Sequence, residues 1–116
     1  MISKELLKGS LKSIVLKLLS EQGRMYGYEI TQSVEELTGG KIKLTYGALY
    51  PILHKLENDG LVVTDSEIVN NRNRIYYSLT KKGTSTAKEK IKELEEFIQT
   101  IGLLLRPNFS LNLCTR

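Results

Sequence analysis

A helix-length segment, Thr45 to Gly60, runs directly into two strand-like segments, Leu61 to Val69 and Arg74 to Leu79, joined by Asn70-Asn71-Arg72-Asn73. The hydrophobic period changes from helical to alternating within a few residues, so a helix must feed a hairpin without a crossover between them. The joining residues suit that reading, because asparagine tolerates the positive φ that tight hairpin loops demand. Such an order places one helix face and one exposed tip side by side.

Upstream, Leu7, Leu11, Ile14, Val15, Leu18 and Leu19 recur at helical spacing between Lys4 and Glu21 and predict a single amphipathic first helix. Gln22-Gly23-Arg24 stops it. Tyr26-Gly27-Tyr28 leads into a second helix with Ile30, Val34 and Leu37 on one side, ended by Gly39-Gly40. Thr45 is a good amino-terminal cap for the third, since its hydroxyl can accept a bond from an orphaned backbone amide. Three short-linked helices and a hairpin predict a mainly α fold with a small β-hairpin (α+β), a winged helix-turn-helix over residues 1–83.

The last helical segment obeys a different rule. Ala87, Ile91, Leu94, Ile98, Ile101 and Leu105 alternate spacings of four and three, the spacing of a coiled-coil seam, and Phe97 and Leu104 widen the stripe. A hairpin is too small to cover so much apolar surface, so residues 84–106 are expected to form a dimerisation helix covered by a second copy of the chain. Leu7 and Leu11 of the first helix are expected to join that interface. Gly102 weakens the helix near its end by about 1 kcal/mol relative to alanine, Pro107 limits it, and residues 107–116 are expected to form a flexible tail.

Charge and composition exclude several function classes. The net charge of +4 is concentrated in residues 41–83, which carry seven bases and four acids, whereas residues 1–40 carry five of each. The excess therefore coincides with the third helix and hairpin, as a polyanionic partner requires. The chain has one cysteine, Cys114, which can form neither an internal disulfide nor a thiolate metal cage. His54 is the only histidine. With no partner of metal or catalytic spacing beside it, and no phosphate-binding loop or nucleophile elbow, neither an enzyme nor a cofactor or metal site is expected. No apolar run approaches the roughly 20 residues that span a bilayer, so no membrane partner and a cytoplasmic location are expected.

On a helical wheel, Leu49, Ile52, Leu53 and Leu56 fall together and must face the core. The opposite side carries Gly47, Ala48, Pro51, His54, Lys55 and Asn58, with Tyr50 on the flank and Tyr46 closer to the buried edge. Thr45 and Tyr50 can bond to DNA phosphates, and Lys55 can pair with a phosphate or a guanine. Glu57 and Asp59 would repel phosphates, which directs the amino-terminal half of the helix at a major groove. Pro51 removes a backbone donor, and either a kinked or late-starting helix or a first-turn position would accommodate it. At the hairpin tip, Asn71, Arg72, Asn73 and Arg74 can reach an adjacent groove or backbone. Tyr26, Tyr28, Tyr76 and Tyr77 are expected to be core residues with hydroxyls at the edge. A protein-interaction module built on the same scaffold, binding no duplex, is the alternative, and a sensor of the MarR type would need more helices than this chain supplies.

The sequence resembles the PadR family of winged-helix transcription regulators from about Glu5 to Gly83. The resemblance rests on Leu6-Leu7-Lys8-Gly9-Ser10, Tyr26-Gly27-Tyr28-Glu29-Ile30, Gly47-Ala48-Leu49-Tyr50-Pro51 with Leu53-His54-Lys55-Leu56-Glu57 and Gly60-Leu61-Val62, and Arg74 to Thr80 with Gly83, in that order. It implies a homodimeric repressor of the compact subtype, with one carboxy-terminal helix packed across the partner. It further implies DNA contacts from Thr45, Tyr46, Tyr50, Pro51, His54, Lys55, Arg72 and Arg74, on a roughly palindromic double-stranded operator. A small-molecule effector near the dimer interface is a further family implication. The last helix has no tryptophan and only Phe97 as an aromatic, which does not favour an aromatic-stacking pocket there.

Overall fold

The computed structural model describes residues 2–106; Pro107, Cys114 and the expected tail lie outside the described residues. Five helices and three strands follow in the order α1 (Lys4–Lys8), α2 (Leu11–Gln22), β1 (Met25–Tyr26), α3 (Gly27–Leu37), α4 (Tyr46–Asn58), β2 (Val62–Val69), β3 (Arg72–Leu79) and α5 (Lys81–Leu105). The sheet is antiparallel in the order β1-β3-β2.

The single first helix expected from the apolar period is two. The Ser10 hydroxyl donates to the Leu7 carbonyl (3.1 Å), closing α1, while the Ser10 carbonyl accepts from the Ile14 amide and opens α2. Gly9, a weak helix former, sits at the break. The consequence is that Leu7 and Leu11 both turn inward.

One core collects Val15, Leu16 and Leu19 of α2, Ile30 and Val34 of α3, Leu49, Leu53 and Leu56 of α4, and Met25, Val62, Tyr77 and Ala87. Leu7, Leu11 and Ala87, expected at a dimer interface, lie inside this core, and Ile91 packs against it. Helical spacing gave them an apolar face; α2 and α5 lying against each other within the protomer decides what covers it. Leu37, expected on the buried side of α3, is exposed.

The junction from α4 to the hairpin is built from backbone. The Leu61 amide donates to the Leu56 carbonyl (2.9 Å) and the Gly60 amide to that of Glu57 (3.0 Å), with Gly60 at φ +74°. This is the paired bond pattern that ends helices at a left-handed residue, and burial of both Leu56 and Leu61 completes it. The hairpin loop is only Asn70-Asn71, both at positive φ (52° and 63°); Arg72 and Asn73, expected in the loop, belong to β3. Two consecutive left-handed residues match the twist of the flanking strands.

The start of α5 is fastened to the same junction. The Thr80 hydroxyl donates to the Gly60 carbonyl (2.7 Å) and accepts from the Gly83 amide (2.9 Å), and the Thr80 amide donates to the Leu61 carbonyl (3.0 Å). The last helix therefore leaves the wing in a defined direction.

Candidate nucleic-acid interface

The amino terminus of α4 is set by Thr45, whose Oγ1 accepts from the Ala48 amide at 3.2 Å. Leu49, Leu53 and Leu56 anchor the inner face, so Tyr46, Gly47, Tyr50, Pro51, His54 and Lys55 are left exposed. Tyr46, expected near the buried edge, is 48% exposed. The rings of Tyr46 and Tyr50 lie 5.7 Å apart, and those of Tyr50 and His54 6.2 Å, forming a row along the outer helix face.

Helix α4 begins five residues before Pro51 and continues through it, so Pro51 is neither at a first turn nor after a late start. The Gly47 carbonyl consequently receives no helical bond from position 51. Both residues are exposed, which keeps that carbonyl accessible to solvent.

Gly27 brings α3 against α4. A Cβ there would lie 2.5 Å from the Tyr50 hydroxyl oxygen, so glycine is what lets the phenol rest against the start of α3. That helix is opened by the Glu29 carboxylate accepting from the Tyr26 amide (3.1 Å). Its first exposed side chain, Tyr28, is 52% exposed and not a core residue.

Tyr28, Tyr46, Tyr50, His54, Asn73, Arg74 and Ile75 line one concave surface, and Arg72 lines its continuation toward the hairpin tip with Tyr28, Tyr46 and Asn70. Thus the tyrosines and histidine of α4 share a trough with the wing, whereas Thr45, Pro51 and Lys55 do not line it. Asn71 occupies the left-handed corner of the hairpin loop. Tyr28 and Ile75, which were not among the expected contacts, also line this surface.

The charges are arranged unevenly. Arg74 is half-buried as a residue, its guanidinium lies 4.4 Å over the Tyr26 ring, and its neighbours, Tyr76 first, push its pKa up, so it remains a cation. Arg72 is exposed. Lys55 pairs with Asp59 at 3.3 Å one turn away, an exposed pair of the kind that is worth little and gives way readily to a competing anion. Lys82 donates to the Asp59 carbonyl (3.1 Å) and so contributes to the α4–α5 junction.

Among the described residues, no group of three or more His, Cys, Asp or Glu could hold a metal ion. None of the described helices is long and apolar enough to cross a membrane. The surface offers hydroxyls, amides and cations, a set that binds phosphates and base edges.

Comparison with known proteins gives this arrangement a family. A transcriptional regulator of Mycobacterium tuberculosis, Rv3488, is 35% identical over 77 residues, covering 66% of this chain and 69% of the relative. The solved structure of a transcriptional regulator from Clostridium thermocellum superposes with a TM-score of 0.79 at 26% identity, covering 89% of this chain and all of that one. A PadR family transcriptional regulator from Eggerthella lenta superposes with a TM-score of 0.74 at 27% identity, covering 88% and 87%. The family model of the transcriptional regulator PadR-like family matches residues 15–89, from the middle of α2 through the wing into α5. With fold, α4 surface and wing all inside that match, the chain belongs to the PadR-like family of transcriptional regulators.

Proposed function

We propose that this chain is a cytoplasmic, homodimeric, sequence-specific repressor that binds double-stranded DNA with the amino-terminal half of α4 in a major groove and the wing on the flanking backbone. The observation that carries this reading is the shared trough: Tyr46, Tyr50 and His54 from α4 and Asn73 and Arg74 from the wing line one surface. The acidic residues Glu57 and Asp59 lie at the far end of the helix, away from that trough. Phosphates approaching from the amino-terminal side meet hydroxyls and cations first.

Dimerisation follows from the distal half of α5. Phe97, Ile98, Leu103, Leu104 and Leu105 are exposed there, and an apolar cleft of Ile14, Leu18, Leu37, Ile91, Leu94 and Ile98 lies beside them. No aromatic ring lines the cleft, which suits aliphatic side chains of a second copy better than a stacking effector. A two-fold axis then demands a roughly palindromic operator with half-sites about 10 base pairs apart or a multiple of that.

Selection of random duplex fragments by the purified protein tests the proposal. Enrichment of a palindromic motif is the expected outcome. Retention of no duplex would leave the protein-interaction alternative standing, and an enriched motif without two-fold symmetry would remove the dimeric part of the reading.

A further inference from the structure

Arg24 lies outside the trough, in the turn between α2 and β1, yet its guanidinium engages two carboxylates of the wing. Its Nη2 reaches Asp65 Oδ1 and Glu67 Oε2, each at 2.5 Å, its Nε donates to the Asp65 carboxylate at 3.2 and 3.3 Å, and its carbon lies 3.6 Å over the Tyr76 ring. Tyr76 meets Tyr26 edge-on with centroids 5.3 Å apart, and Tyr26 carries Arg74 on its face. Two cations and two rings thus form one ladder across the outer face of the sheet.

The strand register shows what the ladder prevents. Glu67 on β2 is the direct cross-strand partner of Arg74 on β3. Residues so placed project from the same face about 5 Å apart at their Cβ atoms, and opposite charges there ordinarily pair. They do not pair here: Glu67 goes to Arg24, and Arg74 has no carboxylate within ion-pair distance among the described residues. Arg24 is the one group that answers both wing carboxylates.

We infer that Arg24 is a positioning residue for the wing: by holding Asp65 and Glu67 it keeps Glu67 off Arg74 and leaves the Arg74 charge available to a DNA phosphate. The inference rests on the DNA-binding reading above. Without Arg24, Glu67 would turn to its cross-strand neighbour Arg74 and neutralise it, and Asp65 would be left uncompensated beside the same phosphate backbone. Arg24 would act without touching DNA.

The test is a salt titration of binding to a labelled mixed-sequence DNA duplex by the full chain and by Arg24→Gln, Glu67→Gln and the double variant, with thermal melting of each. Arg24→Gln should weaken binding several-fold and flatten the dependence of log affinity on log salt by about 0.9 per protomer, the signature of one lost phosphate contact. Glu67→Gln in that background should restore most of the affinity and slope, because the carboxylate that captures Arg74 is gone. A direct phosphate contact by Arg24, or a merely structural role, predicts no such rescue, so weakening without rescue overturns the inference. Unchanged binding by Arg24→Gln overturns it as well. If the unsubstituted chain binds no duplex at any salt concentration, the DNA reading fails first and the inference with it, an outcome visible before any variant is compared.

Discussion

A Cβ placed on Gly83 would overlap the carbonyl oxygen of Leu61, so closely does the first turn of α5 press on the exit of α4. Glycine here serves close approach, since its backbone lies outside the left-handed region. The obstacle is backbone already bonded to Thr80, which cannot step aside as a flexible side chain could. Gly83→Ala must therefore shift α5 or break the Thr80 bonds. We expect a loss at the upper end of the range for overpacking, about 3 kcal/mol, read as a lowered midpoint in urea. A melting curve superposable on that of the unsubstituted chain would mean that the α5 junction is far softer than its geometry.

Pro51 is the opposite case, a residue that works against its own helix. Alanine there would restore the amide that the Gly47 carbonyl lacks and remove the ring from the preceding turn. Because the site is exposed, nothing in the core has to move. Pro51→Ala is expected to stabilise the protein by about 1 to 3 kcal/mol, the range between a half-relieved and a fully relieved helical proline. Weaker DNA binding by this more stable variant would show that the proline is kept for the groove; a drop in stability would show that the break in hydrogen bonding is itself part of the native packing.

What could be read from the sequence was what local chemistry decides. Thr45 as a cap, the helix end at Gly60 and a hairpin loop at the asparagines follow from side chains that satisfy nearby backbone or tolerate positive φ, although the loop is Asn70-Asn71 alone and not the four residues expected. The apolar stripes were equally plain, but a stripe does not say what covers it. Leu7, Leu11 and Ala87 therefore looked free for a partner, although the protomer buries them itself. Ser10 could not be told from an ordinary helical serine until its hydroxyl was seen on the Leu7 carbonyl. The two-residue strand Met25–Tyr26 exists only through pairing with Tyr76 and Tyr77, some 50 positions away, and the role of Arg24 depends on that same long-range pairing. Of the site, the α4 row and the wing tip were legible, whereas Tyr28 was hidden because exposure at the start of a helix leaves no periodic trace.

Tyr77 should ionise late in alkali. Its phenol is buried, and desolvation, followed by the nearby Tyr50 and Glu57, raises its pKa above the usual value near 10. The sign follows: below pH about 10 the phenol is neutral folded or unfolded and costs nothing, while at higher pH the unfolded chain ionises first and stability falls until the folded group titrates. A tyrosinate absorbance titration should show a late component that Tyr77→Phe removes. A titration that Tyr77→Phe leaves without any lost late component, while the fold persists, would contradict the burial.

In the distal half of α5, Phe97, Ile98, Leu103, Leu104 and Leu105 are exposed among the described residues. Ile98 is 61% exposed and Leu104 73%. Replacing both by glutamate removes little from the intrachain core, so a change in assembly is separable from unfolding. Each copy would place one charge in the seam, at Ile98, and one on the apolar stripe beside it, at Leu104, both on a face that a packed partner would keep dry. Ile98→Glu with Leu104→Glu should sediment as a monomer with its helical circular dichroism largely kept. DNA affinity should fall by more than any single wing substitution causes, since each half-site must then be bound without the effective concentration that a tethered second copy provides. A variant that remains dimeric would move the interface away from this half of the helix. Loss of the dimer with undiminished affinity would show that one α4 and one wing suffice for binding.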